Sequence, residues 1–183
     1  CECNRNFAIM SGMTEVYDAL GNLNTIAIET ALPGFSELFS SVISNGGEIE
    51  KFNQKLHAKY EQIKENEVRY EEYMLDDAEY VFVAFGCSSR ICEAVVDLLR
   101  EEGIKAGLLR PVTLFPFPSK RLAELSQTVK SMMSIELNMG QMVDDVRLAV
   151  NGKCPVGFYG RQGGNIFTPE EIVEEFKKFN NLK

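Results

Sequence analysis

The stretch that decides the fold is Tyr80-Val81-Phe82-Val83-Ala84-Phe85-Gly86-Cys87-Ser88-Ser89-Arg90, an apolar run that ends in glycine, small polar residues and the start of a helical pattern. A continuous apolar run followed at once by such a turn reads as a buried parallel strand entering a helix, the elementary unit of an α/β domain. The turn sets backbone N–H groups and the positive end of a helix at the carboxyl edge of a sheet, where polar ligands and partner subunits bind.

Downstream the unit recurs. A helix over 89–101 buries Ile91, Ala94, Val95, Leu98 and Leu99, with Gly103 at C′. Strands follow at 106–109, 131–137 and 156–159, alternating with helices at 119–127, 140–150 and 168–179. Thr168-Pro169-Glu170-Glu171 supplies a capping residue, proline at N1 and glutamate at N3. The three prolines of Arg110-Pro111-Val112-Thr113-Leu114-Phe115-Pro116-Phe117-Pro118 predict a rigid loop at the end of the second strand. Right-handed crossovers then give a three-layer α/β/α domain with a mainly parallel sheet, over 76–183.

Upstream the signal weakens. Residues 1–32 suggest only short strands at 7–13 and 24–30, or an extended arm, and a one-faced helix is predicted over 35–43. Ile49, Phe52, Leu56, Tyr60 and Ile63 mark an amphipathic helix over 48–72. The expected organisation is an irregular or partly helical segment at 1–50, truncated from a preceding region, a helical connector at 51–75 and the α/β domain. The acidic run over 65–79 reads as a solvated hinge.

The 183 residues suffice for one domain and an appendage. Composition is that of an ordinary globular protein, and no apolar run approaches the roughly 18 residues of a membrane span. A net charge of -8 without visible basic clusters argues against nucleic acid, while leaving a basic protein or a small ligand open as partner. Five cysteines without disulfide or metal-ligand spacing read as reduced cytoplasmic thiols, and no metal ligand set is expected. The chain lacks an initiator methionine and a signal segment, and is read as a fragment.

The loops after the strands, 86–90, 110–117, 136–141 and 160–165, form the candidate set. The first lacks the spacing of a dinucleotide site or a P-loop and reads as a structural turn. Ser88 and Ser89 read as helix caps, and Arg90 as a salt-bridge or interface residue. Glu136 reads as an organiser accepting backbone N–H groups, with a general-base role open only if a second titrating group approaches. Asn138 and Gln141 share its loop. Arg161, with Gly163 and Gly164, suits a carboxylate or phosphate partner, although the glycines fit equally a turn with positive φ. The single histidine, His57, reads as a surface residue. No catalytic constellation assembles, which points to a non-catalytic α/β module of a larger assembly. The rival is a free-standing α/β small-ligand or acyl-phosphate enzyme, which requires a deep pocket of convergent titratable groups.

Four segments in order carry a family resemblance. Val68-Arg69-Tyr70-Glu71-Glu72-Tyr73 through Asp76-Asp77-Ala78-Glu79-Tyr80-Val81 to Arg90 is the first, and 103–118 the second. Glu136-Leu137-Asn138-Met139-Gly140-Gln141-Met142 and Gly160-Arg161-Gln162-Gly163-Gly164 complete the set. Together, over about residues 68 to 175, they resemble the alpha subunit of 2-oxoacid:ferredoxin oxidoreductases of the 2-oxoisovalerate and 2-oxoglutarate type. The resemblance implies a domain similar to the transketolase carboxyl-terminal domain, in a complex with beta and gamma or delta subunits. That complex oxidatively decarboxylates a 2-oxoacid to acyl-CoA and passes electrons to ferredoxin, using thiamine diphosphate, Mg2+ and iron–sulfur clusters. None of these cofactors is expected on this chain alone, whose catalytic set is empty. Arg90, Arg110, Glu136, Asn138, Gln141, Arg161, Gly163 and Gly164 become candidates for interface or ligand contacts, with coenzyme A as one ligand in question for Arg161.

Overall fold

The computed structural model describes residues 46–182. The chain falls into two compact units, Cys1–Glu61 and Gln62–Lys183. Of the first unit, the described residues are those of helix α1 (Gly46–Asn66) up to the boundary. Over residues 50–66 of α1, Phe52, Leu56 and Ile63 are the half-buried positions, at helical spacing, and His57 is exposed. The helix expected at 35–43 and the strands or arm expected within 1–32 lie outside the described residues.

The second unit continues through β1 (Tyr70–Tyr73), β2 (Tyr80–Ala84), α2 (Gly86–Glu101), β3 (Ala106–Pro111), α3 (Ser119–Leu125), β4 (Ser131–Glu136), α4 (Met142–Val150), β5 (Val156–Gly160) and α5 (Pro169–Asn180). The strands form one sheet in the order β1-β3-β2-β4-β5. All neighbours are parallel except β1, which runs antiparallel along the edge of β3.

Strand β2 is buried along its whole length, as its unbroken apolar run requires when both faces are covered. Its residues alternate between two cores. Tyr80, Phe82 and Ala84 face α2 and α5 through Cys92, Val95, Leu99, Ile172 and Phe176. Val81 and Val83 face α3 and α4 through Leu122, Leu125, Met142, Val146 and Val150. The Phe176 ring closes the first core, with centroids 5.2 Å from Tyr80 and 5.1 Å from Phe82. The architecture is therefore the three-layer one expected, with two helices on each face. Among the described residues no helix is long and apolar enough to cross a membrane.

The expected helix over 48–72 is too long. It stops at Asn66, and Tyr70–Tyr73 becomes a strand whose period of two puts Glu71 opposite Arg110 of β3, 2.8 Å from its guanidinium. Cross-strand pairing and the β3 ladder here outweigh helical propensity. The acidic run is correspondingly no solvated hinge. Glu72 bonds Arg121 at 2.6 Å, Asp77 bonds Arg100 at 2.7 Å, and Glu79 pairs with Lys130. Strand β3 also outlasts its predicted end by two residues. Pairing with β2 stops at Leu109, so Pro111 faces only Tyr70 of β1 and its missing N–H interrupts no central ladder.

Arg100 locks the entry to the sheet by donating to the carbonyls of Ala106 and Met74, each at 2.7 Å, besides Asp77. The Met74 carbonyl lies so close to β3 that a Cβ at Gly107 would sit 2.6 Å from it and 2.7 Å from Leu75 Cδ2. Gly107→Ala is expected to lower stability by about 1–3 kcal/mol through this overpacking. Urea denaturation measures it, and an unchanged midpoint would contradict the contact.

Candidate functional site

Between β2 and β4 the topology reverses direction. The chain leaves β2 for β3 on one side and returns past it to β4 on the other, so the loops at their carboxyl ends part at a switch point. Phe85 is extended there, Gly86 takes φ +58°, and α2 begins immediately, with no side chain capping it. The expectation that Ser88 and Ser89 cap this helix is incorrect. Glycine lets the helix start three residues earlier than predicted, both serines are buried within it, and Ser89 Oγ donates back to the Gly86 carbonyl at 2.8 Å. Cys87 is an exposed free thiol; Cys92 and Cys154 are buried, and burial raises both thiol pKa values.

The next loop is organised by one carboxylate. Glu136, the last residue of β4, is fully buried. Its Oε1 accepts from Val143 N and Ser134 Oγ at 2.8 and 2.9 Å, and its Oε2 from Met142 N and Gln141 N at 2.8 and 3.1 Å. Gln141 occupies the N-cap of α4 without a side-chain cap. The strand thus supplies from outside the negative charge that the helix start favours. All four bonds terminate within the chain, so the carboxylate fixes the loop. Asn138 Oδ1 accepts from Gly140 N at 2.7 Å, and Gly140 takes φ +100°.

This loop is joined to the one after β5. Arg161 N donates to the Glu136 carbonyl at 3.1 Å, and a Cβ at Gly160 would lie 2.4 Å from the Asn138 carbonyl. The Arg161 side chain turns to α5, where Nη2 bonds Glu171 Oε1 at 2.5 Å. Tyr159 first, and Glu171 after it, favour its charged form. Its Nε is buried and has no hydrogen-bond partner among the described residues. Glu171 uses its second oxygen in the capping box of α5, accepting from Thr168 N at 3.0 Å. Gly163 and Gly164 form an exposed turn with φ +70° and +85°, values that favour glycine whatever its surroundings.

The structure therefore brings Glu136, Asn138, Gln141 and Arg161 together. Arg110 is not among them, since its guanidinium is committed to Glu71 at the β1 edge. Arg90 projects from α2, exposed and without an ion pair among the described residues.

Sequence reasoning singled out polar residues and passed over most of the apolar ones beside them. Val112, Leu114 and Phe115 after β3, Leu137 and Met139 after β4, and Ile166 after β5 are all exposed, Met139 by 75%. Large apolar residues set among glycine, asparagine and proline in post-strand loops were the available signal. These loops are held: Val112 N and Thr113 N donate to the Arg69 carbonyl at 2.9 and 3.1 Å, and Thr113 Oγ1 donates to the Pro116 carbonyl at 2.8 Å. Fixed loops presenting apolar side chains have the chemistry that suits a docking surface. Behind the first of them an open groove of about 940 Å³ runs past Tyr70, Phe117 and Leu148. Its Arg121 is committed to Glu72 and Glu124. Among the described residues no three His, Cys, Asp or Glu side chains are placed to hold a metal ion.

Comparison with known proteins bears on the family and the fold. Residues 78–172 match the family model described as pyruvate:ferredoxin oxidoreductase core domain II. A relative named ketoisovalerate oxidoreductase subunit VorB, from Methanothermobacter marburgensis, is 45% identical over 141 residues, 77% of this chain and 40% of that protein. The chain thus spans about two-fifths of that relative's length. A solved 2-oxoglutarate:ferredoxin oxidoreductase from Magnetococcus marinus superposes with a TM-score of 0.64 at 24% identity, over 73% of this chain and 23% of that one. A split-gene transketolase gives 0.52 at 19% identity, over 62% and 42%. At these identities the two structures establish the shared fold.

Glu136→Gln is expected to destabilise the chain by about 2–4 kcal/mol, because an amide oxygen cannot serve three N–H groups and its NH2 opposes them. Chemical denaturation measures the loss; a change below about 0.5 kcal/mol would contradict the organising role.

Proposed function

The chain belongs to the pyruvate:ferredoxin oxidoreductase core domain II family, and on that premise we propose that it is a carboxyl-terminal portion of an alpha subunit of a 2-oxoacid:ferredoxin oxidoreductase. The identity of 45% with the ketoisovalerate subunit favours 2-oxoisovalerate, the same compound, as the substrate of the complete complex. That complex converts 2-oxoacid, coenzyme A and oxidised ferredoxin to acyl-CoA, carbon dioxide and reduced ferredoxin. Thiamine diphosphate, Mg2+ and the iron–sulfur clusters supply the decarboxylation and electron-transfer chemistry from other parts of the assembly. The described residues offer no ligand set for the metals, and no step of the reaction is assigned to them.

This portion serves assembly. The observation that carries the reading is the row of exposed apolar side chains on fixed loops at the carboxyl edge, from Val112 through Leu137 and Met139 to Ile166. Arg90, Asn138, Gln141, Arg161, Gly163 and Gly164 belong to the polar part of the same edge, while Arg110 fixes the neighbouring strand. By holding the beta and the gamma or delta subunits in register, the edge keeps the reacting groups aligned, where displacements of about 1 Å are costly. The reading places the complex in the cytoplasm, where exposed thiols such as Cys87 remain reduced.

The test uses the complete alpha subunit containing this sequence, co-produced with its companion subunits. Leu137→Asp with Met139→Asp should abolish co-purification and 2-oxoisovalerate-dependent ferredoxin reduction, while the isolated variant keeps the wild-type melting temperature. A variant complex that assembles and turns over normally would refute the assembly role.

A further inference from the structure

We propose that Arg161 is a latched docking residue: it is held by Glu171 in the free chain and released to a carboxylate on a companion subunit when the carboxyl edge is covered. The inference rests on the assembly reading above and adds to it the chemistry of the partner, a protein surface bearing an Asp or Glu side chain flanked by apolar residues.

Three observations lead there. The guanidinium is imperfectly satisfied where it stands, since Nη2 bonds Glu171 but the buried Nε has no acceptor among the described residues. The pair with Glu171 is partly exposed and made through one nitrogen, with Tyr159 also favouring the charge, while the unpaired buried Nε costs its desolvation, so a better-matched carboxylate can draw the side chain away. A carboxylate approaching from outside can take Nε and one Nη together in the two-pronged geometry that suits arginine.

Position is the second observation. The Arg161 backbone is bonded to Glu136, which places the residue beside the loop that exposes Leu137 and Met139, and its own loop leads to the exposed Ile166. An arginine on a fixed backbone, with exposed apolar side chains on its own and the adjoining loop, is of the kind from which interfaces draw much of their energy. The third is charge. On a chain of net charge -8 this edge presents Arg90, without an ion pair among the described residues, and a third-exposed Arg161, so the partner's matching group is an anion.

Glu171 makes the latch separable from the fold. Its Oε2 completes the capping box of α5 independently of the bond from Oε1 to Arg161. Glutamine serves the same capping position. Glu171→Gln therefore frees Arg161 while leaving the helix start intact.

The experiment measures the dissociation constant of the complete alpha subunit for its purified companion subunits by analytical ultracentrifugation, with melting temperatures as a check on folding. Arg161→Ala and Arg161→Lys are expected to weaken the complex by about tenfold or more, and Glu171→Gln to tighten it by about three- to tenfold through loss of the competing carboxylate. Should Arg161→Ala fail to fold, Glu171→Gln decides alone. Wild-type assembly with constants for both Arg161→Ala and Glu171→Gln within about twofold of wild type would overturn the latch and leave the assembly reading standing. Failure of the wild type to bind its companions would overturn both.

Discussion

At the end of the strand β4, a carboxylate with no cationic partner among the described residues is buried among backbone N–H groups. Glu136 is tolerable there because the start of α4 offers Met142 and Val143 N–H groups, Gln141 adds a third, and the Ser134 hydroxyl completes the set. The bonds fix where α4 begins and how the loop over 137–141 leaves the sheet. Through the Glu136 carbonyl they also fix Arg161 and the start of the next loop. The carboxyl edge from β4 to β5 is in this sense one body, whose shape is set from within by a buried charge.

The same economy explains why the domain has polar residues at its edge without an evident reaction centre. Glu136 accepts four bonds from the chain itself, and Asn138 Oδ1 and Arg110 Nη1 are likewise engaged within it. Outward-facing beside them are exposed apolar side chains, with Arg90, Gln141, Gln162, Asn165 and part of Arg161 as the polar groups among them. On the proposed reading, a module built this way contributes precision to a larger assembly. The two cores, meeting on opposite faces of the fully buried β2, give that edge its rigid support.

Much of the architecture was legible in the residues. The run 80–90, the glycine at 103 and the capping box at 168–171 each encode a local geometry that tertiary contacts reinforce, so the parallel strands and their helices could be placed. The 70–73 strand could not. Tyr-Glu-Glu-Tyr continues a helical composition, and it becomes a strand through its ladder with β3, distant in sequence, with Arg110 and Arg121 pairing Glu71 and Glu72. The caps at Ser88 and Ser89 failed for a related reason, since a glycine with positive φ moved the helix start. At the edge, Glu136 was readable as an organiser from its place after an apolar strand, whereas the engagement of Arg161 with Glu171 depends on the direction of α5, which no local pattern records.

The measurement that bears most directly on the central claim, that this edge is a preformed docking surface, is hydrogen–deuterium exchange on the complete subunit alone and in its complex. The account predicts added protection in the complex at 112–115, 137–141 and 161–166, with the β1 edge at 70–73 and the amino half of α4 unchanged. Protection confined to the helical faces, with those three loops exchanging as in the free subunit, would contradict it.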